Sequence, residues 1–235
     1  MSQITIQKNR NSIKTWPKYE RPRELLLDKG AEQVSDAGLI AILLDTGIKG
    51  KDAVSLARDL IQHFGSLREL LHARKSDLLK TKGLGMAKVA KLLSVMEIAK
   101  RQFKEEVVGK SYVKNQQDIV DYLCLSMRDL KEEFFKVVYL NKTNIVISVE
   151  DLFRGTVDQT SVYPREVIKR AIELGASGVI FVHNHPSGSL TPSEHDTELT
   201  RKLVVACRAV DIAPLDHILI SPFGHKSMPI NLVTI

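Results

Sequence analysis

Residues 176–196 read ASGVIFVHNHPSGSLTPSEHD, and this stretch decides the fold that we expect around it. Its apolar run GVIFV predicts a strand buried in a sheet, and side chains along a strand alternate between the two faces. His183 and His185 should therefore project to the same side. They lie at the carboxyl end of the strand, where sites in open α/β sheets collect. Pro186 cannot donate to the sheet ladder, so the strand should end there.

A helix is predicted after the turn that follows. Thr191, Pro192 and Glu194 have the order of a helix start, as the cap, the first and the third helical residue. Ser193 and Asp196 are three residues apart, so they should share a face of this helix. Two imidazoles and one carboxylate can thus converge from a strand end and a helix start. The plainer alternative is a polar loop whose histidines are ordinary surface or core residues.

The converging donor set suits zinc. Imidazole nitrogens bind zinc at about 2.0–2.1 Å and carboxylate oxygens at about 2.0–2.2 Å. Three protein ligands leave the fourth position for water, as catalytic sites require, and no cysteine lies nearby in the sequence to close the site. The pattern therefore favours a catalytic rather than a structural metal site.

The second half of the chain has the pattern of an α/β domain with a mixed sheet, because strands alternate with helices. The predicted strands are 133–140, 144–153, one within 176–185, and 216–221, and the predicted helices are 115–128, 164–175 and 191–210. Residues 141–143 form the turn between the first two strands. Residues 222–235 fit at most an edge strand.

The first half of the chain reads as helices separated by caps. Ser35, Asp52 and Ser66 each precede an apolar helical pattern, and Gly65 is a helix stop. Residues 78–93, LLKTKGLGMAKVAKLL, resemble a helix-hairpin-helix motif, and residues 43–60 show a weak second copy of the pattern. The predicted fold is therefore an N-terminal all-α domain followed by the α/β domain.

The hairpin is a candidate nucleic-acid contact. Gly83 and Gly85 would let the backbone approach a phosphate, and Lys82 and Lys88 would add positive charge. Residues 1–110 hold 21 Lys and Arg against 13 Asp and Glu, a net charge of +8, whereas the rest of the chain is at −2. We expect non-specific DNA binding through phosphates. The alternative is a hairpin used only for packing or protein contacts.

These patterns predict four segments and a location. They are a flexible arm at 1–20, a helix-hairpin-helix domain at 21–104, a linker at 105–114 and the α/β domain at 115–235. The longest aliphatic run, residues 39–44, is far shorter than the roughly 20 residues of a membrane helix. The N-terminus lacks a signal-peptide core, and the two cysteines suggest no disulfide framework. We expect a cytoplasmic protein without a membrane partner.

The spacing His183-x-His185-x7-Ser193-x2-Asp196 resembles the JAMM (MPN+) metalloprotease signature at every defined position. Residues 153–176, 183–196 and 215–220, together with 21–66, are similar to the RadC family. The resemblance covers roughly residues 20 to 221 and implies a JAMM-type, cytidine-deaminase-like α/β fold. It also implies zinc on His183, His185 and Asp196, with Ser193 donating a hydrogen bond to the water or the oxyanion.

The signature further requires a glutamate as general acid/base at the start of an earlier strand. Glu133 matches that place, whereas its neighbour Glu132 would face the other way, and Glu150 is the runner-up. His195 should be exposed, and His217 should lie either beside the site or in the core.

The resemblance therefore implies a zinc-dependent hydrolase of amide bonds acting on an unidentified protein or peptide. The alternatives are a non-catalytic, DNA-associated zinc protein and a zinc nuclease.

Overall fold

A computed structural model describes residues 12–155, 162–228 and 230. The chain divides into two compact units, Met1–Ile98 and Ala99–Ile235. No helix in the part of the chain that the structure describes is long and apolar enough to cross a membrane. Each unit has its own apolar core.

The first unit is helical, as predicted. Ser35, Asp52 and Ser66 cap their helices by accepting a backbone N–H, and Gly65 ends the second capped helix at a φ of 98°. The helices are α1 (Pro22–Lys29), α2 (Asp36–Leu44), α3 (Ala53–Phe64), α4 (Leu67–Leu71), α5 (Lys75–Lys80) and the part of α6 (Met86–Val107) up to Ile98, beyond which this helix belongs to the second unit. Their apolar faces meet in one core, to which α2 and α3 contribute most of the buried residues.

The predicted flexible arm differs from the structure over residues 12–20. These residues form two short 3-10 turns, Ile13–Thr15 and Lys18–Glu20, and the side chains of Ile13 and Trp16 pack against the helical core. The Arg21 guanidinium donates hydrogen bonds to the carbonyls of Lys14 and Trp16. Apolar burial and these bonds hold the segment in place, while residues 1–11 lie outside the described residues.

The second unit is built on a five-stranded mixed sheet with the order β2-β1-β3-β4-β5. Only β3 and β4 are parallel, and the other neighbours are antiparallel. The strands are β1 (Glu133–Leu140), β2 (Val146–Gly155), β3 (Gly178–Asn184), β4 (Ala213–Ser221) and β5 (Gly224–Met228). The helices are α7 (Gln116–Met127), α8 (Pro164–Glu173) and α9 (Glu194–Arg208). The predicted α/β class is confirmed, and β5 is the edge strand.

Alternation along the strands divides the sheet core into two layers. Ile180 and Val182 of β3 face α7, whereas Val179 and Phe181 face α8 and α9. Because side chains alternate with a period of two, His183 continues the second set and lies on the face covered by α9. Strand alternation therefore places His183 on the same side of the sheet as α9, the helix that carries Asp196.

The segment predicted as a linker, 105–114, is ordered as part of the second unit. Helix α6 continues to Val107, which is buried in the core under α7 together with Tyr112. The Gly109 N–H donates to the Val146 carbonyl, and the Tyr112 N–H donates to the Asn144 carbonyl. Burial of the Val107 and Tyr112 side chains therefore holds this segment against the sheet.

Candidate metal centre

Three side chains with metal-binding atoms converge at the carboxyl end of β3. His183 and His185 come from this strand end and Asp196 from the first turn of α9, and all three are buried. The two histidine Nε2 atoms are 3.2 Å apart. Each Nε2 is 3.2 Å from an oxygen of Asp196, Oδ1 for His183 and Oδ2 for His185. Among the described residues this is the one group of three or more His, Cys, Asp or Glu whose donor atoms meet in this way.

The separations fit a zinc ion. Four tetrahedral ligands at about 2.0–2.1 Å from zinc stand about 3.3–3.4 Å from one another. The 3.2 Å between the two histidine Nε2 atoms is close to that edge length, and each nitrogen has one of the two Asp196 oxygens at 3.2 Å. The donor set of two imidazoles and one carboxylate is also one that zinc accepts in catalytic sites. The three side chains could therefore hold a zinc ion with little movement.

The helix that carries Asp196 starts two residues later than the sequence predicts. Ser193, not Thr191, is the N-cap of α9, and it forms a reciprocal capping box with Asp196. Ser193 Oγ accepts the Asp196 N–H at 3.1 Å, and Asp196 Oδ2 accepts the Ser193 N–H at 2.7 Å. The first turn of the helix closes on Ser193, whose carbonyl accepts the Thr197 N–H at 3.1 Å, so Thr191 lies in the turn before the helix. The Ser-x-x-Asp spacing of the motif is thus also a helix-capping device.

This capping geometry bears on the role predicted for Ser193. Its hydroxyl donates to Asp196 Oδ2 at 2.7 Å. In this state the hydroxyl hydrogen is directed at the carboxylate rather than at the space beside the donor cluster. The role of Ser193 toward water or an oxyanion stays a prediction, and it requires this hydrogen to turn away from Asp196.

The outer nitrogen of each histidine is held by a hydrogen bond. His185 Nδ1 lies 3.1 Å from the Ser189 carbonyl, in the turn after Pro186. A carbonyl can only accept, so this nitrogen carries a hydrogen, and in the neutral ring Nε2 is the nitrogen with the lone pair. His183 Nδ1 lies 2.8 Å from His217 Nε2, and His217 Nδ1 lies 2.7 Å from Thr200 Oγ1. His217, predicted to lie either beside the site or in the core, is therefore in direct contact with it.

The electrostatics of the cluster follow from burial and from these contacts. Burial opposes ionisation of Asp196, but hydrogen bonds with His183 and His185 outweigh it and hold the pKa of this carboxyl well below its usual range. The hydrogen bond with Asp196 raises the pKa of His185 above its ordinary value, against the effect of burial. Burial lowers the pKa of His217 well below its ordinary value. Asp196 is thus the anionic donor of the cluster, and His217 is a neutral ring behind it.

Glu133 lies at the start of β1, on the strand next to β3. Phe135, two residues further on, is opposite His183 in the antiparallel register and stacks on its ring. Because alternate residues share a face, Glu133 projects to the same side as His183. The Glu133 charge acts on the His185 imidazole, which places the carboxylate in the neighbourhood of the cluster.

The two other candidate glutamates lie in different surroundings. Glu132 directly precedes the strand, is exposed, and by alternation would face the opposite side. Glu150, the runner-up, accepts two hydrogen bonds from the Arg170 guanidinium at 2.7 and 2.8 Å. The Arg170 hydrogen bonds hold the pKa of Glu150 below its usual range. Glu150 is therefore engaged with α8, which leaves Glu133 as the candidate that faces the donor cluster. His195 is exposed, as predicted.

Two residues of the site were missed by sequence reasoning. The buried Asn184 side chain accepts the Phe134 N–H at 2.8 Å and donates to the Glu132 carbonyl at 3.0 Å, so it clamps the backbone on both sides of Glu133. Thr200, on α9, is buried against His217. Thr200 lies four residues after Asp196, and this helical spacing was a signal that could have found it. Nothing in the sequence shows that Asn184 reaches across to β1.

The hairpin of the first unit connects α5 and α6, as the helix-hairpin-helix resemblance implies. Gly83 has a φ of 96°, which favours glycine, and a Cβ there would also lie 2.8 Å from a Leu56 methyl group. Gly85 has open space around it, and Lys82 is exposed. Of the four predicted contact residues, Lys82 and Gly85 are thus open to a ligand.

Lys88 forms internal hydrogen bonds that the sequence does not predict. Its half-buried ammonium group donates to the carbonyls of Gly47 and Gly83, each at 3.3 Å. These carbonyls belong to the two glycine-containing hairpins of the weak repeat, which Lys88 ties together. Burial lowers the pKa of Lys88 below its ordinary value. Two of the three donors of the ammonium group thus serve the two turns, and the phosphate contact of Lys88 stays a prediction that only the third donor could fulfil.

The same hairpin borders a groove of about 700 Å³ in the first unit. Lys49, Lys80 and Lys82 line it, together with Lys51, which forms an ion pair with Asp59. The groove thus collects positive charge beside the exposed hairpin backbone.

Comparison with known proteins gives two family matches. Residues 113–231 match the family described as a RadC-like JAB domain, and residues 13–90 match the family described as UPF0758 N-terminal. The first match contains every residue of the donor cluster, as well as Glu133, Thr200 and His217. The second contains both glycine-containing hairpins.

Proteins similar to this chain over most of its length carry the same family name. A UPF0758 protein of Thiobacillus denitrificans is 47% identical over 210 residues, which is 89% of this chain and 94% of the relative. A UPF0758 protein of Nitrosomonas eutropha is 47% identical over 209 residues, covering 89% and 93%. A UPF0758 protein of Stutzerimonas stutzeri is 46% identical over 217 residues, covering 92% and 97%.

Proposed function

Since the chain belongs to the UPF0758 family and carries a RadC-like JAB domain, we propose that it is a zinc-dependent hydrolase of amide bonds. JAB domains belong to a superfamily that contains metalloproteases. The proposed substrate is a protein or peptide. The observation that carries the proposal is the set of 3.2 Å contacts joining His183, His185 and Asp196, with Glu133 on the same side of the sheet.

His183 and His185 through Nε2, and Asp196 through its carboxylate, would hold the zinc. When bound, zinc lowers the pKa of a coordinated water to about 7 and polarises a substrate carbonyl. The outward hydrogen bond of His185 to Ser189 places the hydrogen of the neutral ring on Nδ1, so that Nε2 is the nitrogen left to bind a metal. The capping box holds the Asp196 carboxylate at the start of α9. Both supports pre-organise the ligands, which is what tight metal binding requires.

Glu133 would carry the proton in the reaction. A carboxylate oxygen of Glu133 accepts a proton from the attacking water and passes it to the leaving amide nitrogen, as general base and then general acid. The Asn184 clamp on the backbone at Glu132 and Phe134 keeps this carboxylate at the strand end. Ser193 would stabilise the oxyanion once its hydroxyl hydrogen turns away from Asp196.

A second proposal concerns the first unit, namely non-specific binding of nucleic acid. It is supported by the net charge of +8 over residues 1–110 and by the lysine-lined groove beside the exposed Gly85. Lys82 is the side chain best placed to contact a phosphate, since Lys88 is bonded internally. Contacts of this kind hold a phosphate backbone without reading its sequence.

Substrate trapping with Glu133→Gln tests the proposed hydrolysis. This variant should retain zinc and lose hydrolysis by roughly 100-fold or more, because the side chain keeps its shape but cannot take up a proton. The purified zinc-loaded variant is used to capture bound proteins, which are identified by mass spectrometry. Each captured protein is then incubated with the wild-type chain and inspected for new termini. Glu132→Gln is the matched control, since it changes the adjacent, exposed carboxylate.

The outcomes separate the alternatives. Cleavage of a captured protein by wild type and by Glu132→Gln, but not by Glu133→Gln, supports the proposal. Zinc binding without cleavage of any captured protein or peptide library contradicts the enzyme assignment and favours a non-catalytic zinc protein. Zinc-dependent cleavage of DNA or RNA instead of peptides favours a nuclease. Loss of activity in Glu150→Gln but not in Glu133→Gln would show that the wrong glutamate was chosen.

A further inference from the structure

A chain of three short hydrogen bonds runs through the protein behind the metal centre. It begins at the Asp196 backbone carbonyl, 2.6 Å from Thr200 Oγ1, and continues to His217 Nδ1 at 2.7 Å. The opposite nitrogen of the same ring, Nε2, is 2.8 Å from His183 Nδ1. Thr200 is 2% exposed and His217 is 0% exposed, so bulk water cannot replace any of these partners.

The direction of the first bond is set by the chemistry of its two ends. Asp196 contributes a carbonyl oxygen, which can only accept, so the hydrogen in the 2.6 Å contact belongs to the Thr200 hydroxyl. A hydroxyl has a single hydrogen, and Thr200 has therefore none left for His217. The bond from Thr200 to His217 must be donated by the ring, which places a hydrogen on His217 Nδ1.

The surroundings of His217 set the direction of the last bond. The rings of Phe135 and Phe181 meet the imidazole edge to face, each with centroids 5.7 Å away, and no carboxylate forms a hydrogen bond with it among the described residues. A second hydrogen on His217 would leave an unpaired charge buried between two phenyl rings, which is costly. His217 Nε2 is therefore an acceptor, and the hydrogen of this bond sits on His183 Nδ1.

We propose that Thr200 and His217 are positioning residues that keep the hydrogen of His183 on Nδ1, so that Nε2 presents its lone pair to the metal. The inference rests on the proposed metal site and adds the hydrogen bonds that set which nitrogen of His183 carries the hydrogen. Without the Thr200 hydroxyl, His217 would no longer have an acceptor for the hydrogen on Nδ1. The hydrogen would move to Nε2 and be donated to His183 Nδ1, which would place the His183 hydrogen on the ligating nitrogen.

Nitrogen-15 NMR of the histidine rings tests the hydrogen placement without zinc or substrate. The metal-free full-length chain is labelled on histidine, and the rings are assigned through His183→Gln and His217→Gln variants. The expected spectrum shows both His183 and His217 protonated on Nδ1, and His217 unprotonated on Nε2. A hydrogen on His217 Nε2, or an unprotonated His183 Nδ1, overturns the proposal.

Zinc affinity tests whether the chain of bonds matters to the site. Thr200→Val removes the hydroxyl at nearly constant shape, and Thr200→Ser keeps it. Thr197→Val is the matched control, because Thr197 also donates to the carbonyl four residues earlier, that of Ser193, but forms no bond with His217. Competition of zinc against a chelating dye at fixed pH should show about a 10- to 100-fold weaker affinity in Thr200→Val. Thr200→Ser and Thr197→Val should bind like wild type.

The results distinguish this inference from the proposed function. Wild-type affinity in a folded Thr200→Val variant overturns the positioning role. If wild type itself binds no zinc, the proposed hydrolase fails, and the ring spectrum still decides the hydrogen placement. If Thr200→Val does not fold, the wild-type spectrum and the zinc affinity of Thr200→Ser remain decisive. Thr200→Ser keeps the hydroxyl, so a 10- to 100-fold loss of zinc affinity in this variant would contradict the role of the hydroxyl.

Discussion

The substitution Asp196→Asn should separate the two roles of this side chain, which are to cap α9 and to bind the metal. Asp196 Oδ2 accepts the N–H and the hydroxyl of Ser193, so the capping box needs an acceptor at that position. The amide oxygen of asparagine can take it, which turns the amide nitrogen toward His183 Nε2, where Oδ1 now lies. A protonated amide nitrogen cannot bind a metal. The variant should therefore fold normally and lose the metal.

The size of the effect follows from the ligand count. A four-ligand zinc site binds with roughly 10–16 kcal/mol, or about 3 kcal/mol per ligand, so the loss of Asp196 should weaken affinity about 100-fold. With free zinc buffered at about 100 times the wild-type Kd, zinc stabilises the wild-type fold by about 2.7 kcal/mol. At the same zinc concentration the variant should gain only about 0.4 kcal/mol. The difference corresponds to roughly 5–10 °C in the zinc-induced rise of Tm.

The assay is thermal unfolding of the full chain in a zinc buffer and in chelator, together with metal content after dialysis. Glu194→Gln is the control, because it removes an exposed carboxylate from the same turn of α9 without touching the cluster. Wild type and Glu194→Gln should carry about one zinc per chain. A full zinc-induced rise of Tm in Asp196→Asn would refute the ligand assignment. A markedly lower Tm of this variant in chelator would refute the claim that its capping box survives.

Three further predictions address other residues. Asn184→Ala should retain zinc but speed hydrogen exchange at the Phe134 amide roughly 10-fold, because its hydrogen bond is lost; unchanged exchange would contradict the clamp. Lys82→Glu should weaken binding to unrelated DNA duplexes about equally, measured by fluorescence anisotropy at low salt. Lys88→Met should instead lower the free energy of unfolding by about 1 kcal/mol, because its two internal hydrogen bonds are lost. Weaker DNA binding by Lys88→Met with unchanged stability would show that Lys88 serves the phosphate and not the two turns. Tyr139→Phe should raise the free energy of unfolding by about 1 kcal/mol or more in urea titration, since the buried Tyr139 hydroxyl has no hydrogen-bond partner within the described part of the chain, and a destabilised variant would reveal one.

The sequence alone determined the elements whose signals are local. A segment rich in β-branched and aromatic residues predicts β1 at 133–140, and the structure has the same bounds. Caps at Ser35, Asp52 and Ser66 predict helix starts, because a side chain that bonds the N–H groups of the next turn acts within three residues. The same locality underlies the candidate ligand set. Strand alternation and helix entry bring His183, His185 and Asp196 together within a single strand-turn-helix unit.

Local sequence signals were insufficient for the start of α9, for residues 12–20 and for the contacts of Lys88. The order Thr191, Pro192 and Glu194 predicts a helix start, but in the folded turn the cap is Ser193, which forms a reciprocal capping box with Asp196. Residues 12–20 read as a polar arm, yet the burial of Trp16 and Ile13 against the helical core holds them. Lys88 looks like a phosphate contact until the carbonyls of the other hairpin come within reach.

The tertiary structure decided the partners that are distant in sequence. His217 reaches His183 because β4 lies parallel to β3, and Thr200 reaches His217 because α9 packs over both strands. Glu133 is preferred over Glu150 because the register of β1 brings it to the strand end, whereas Arg170 holds Glu150. The hydrogen bonds among these residues join positions 17 to 34 apart. Such contacts leave no periodic trace in a single sequence, because hydrogen bonds between distant side chains depend on sheet order and packing and not on local spacing.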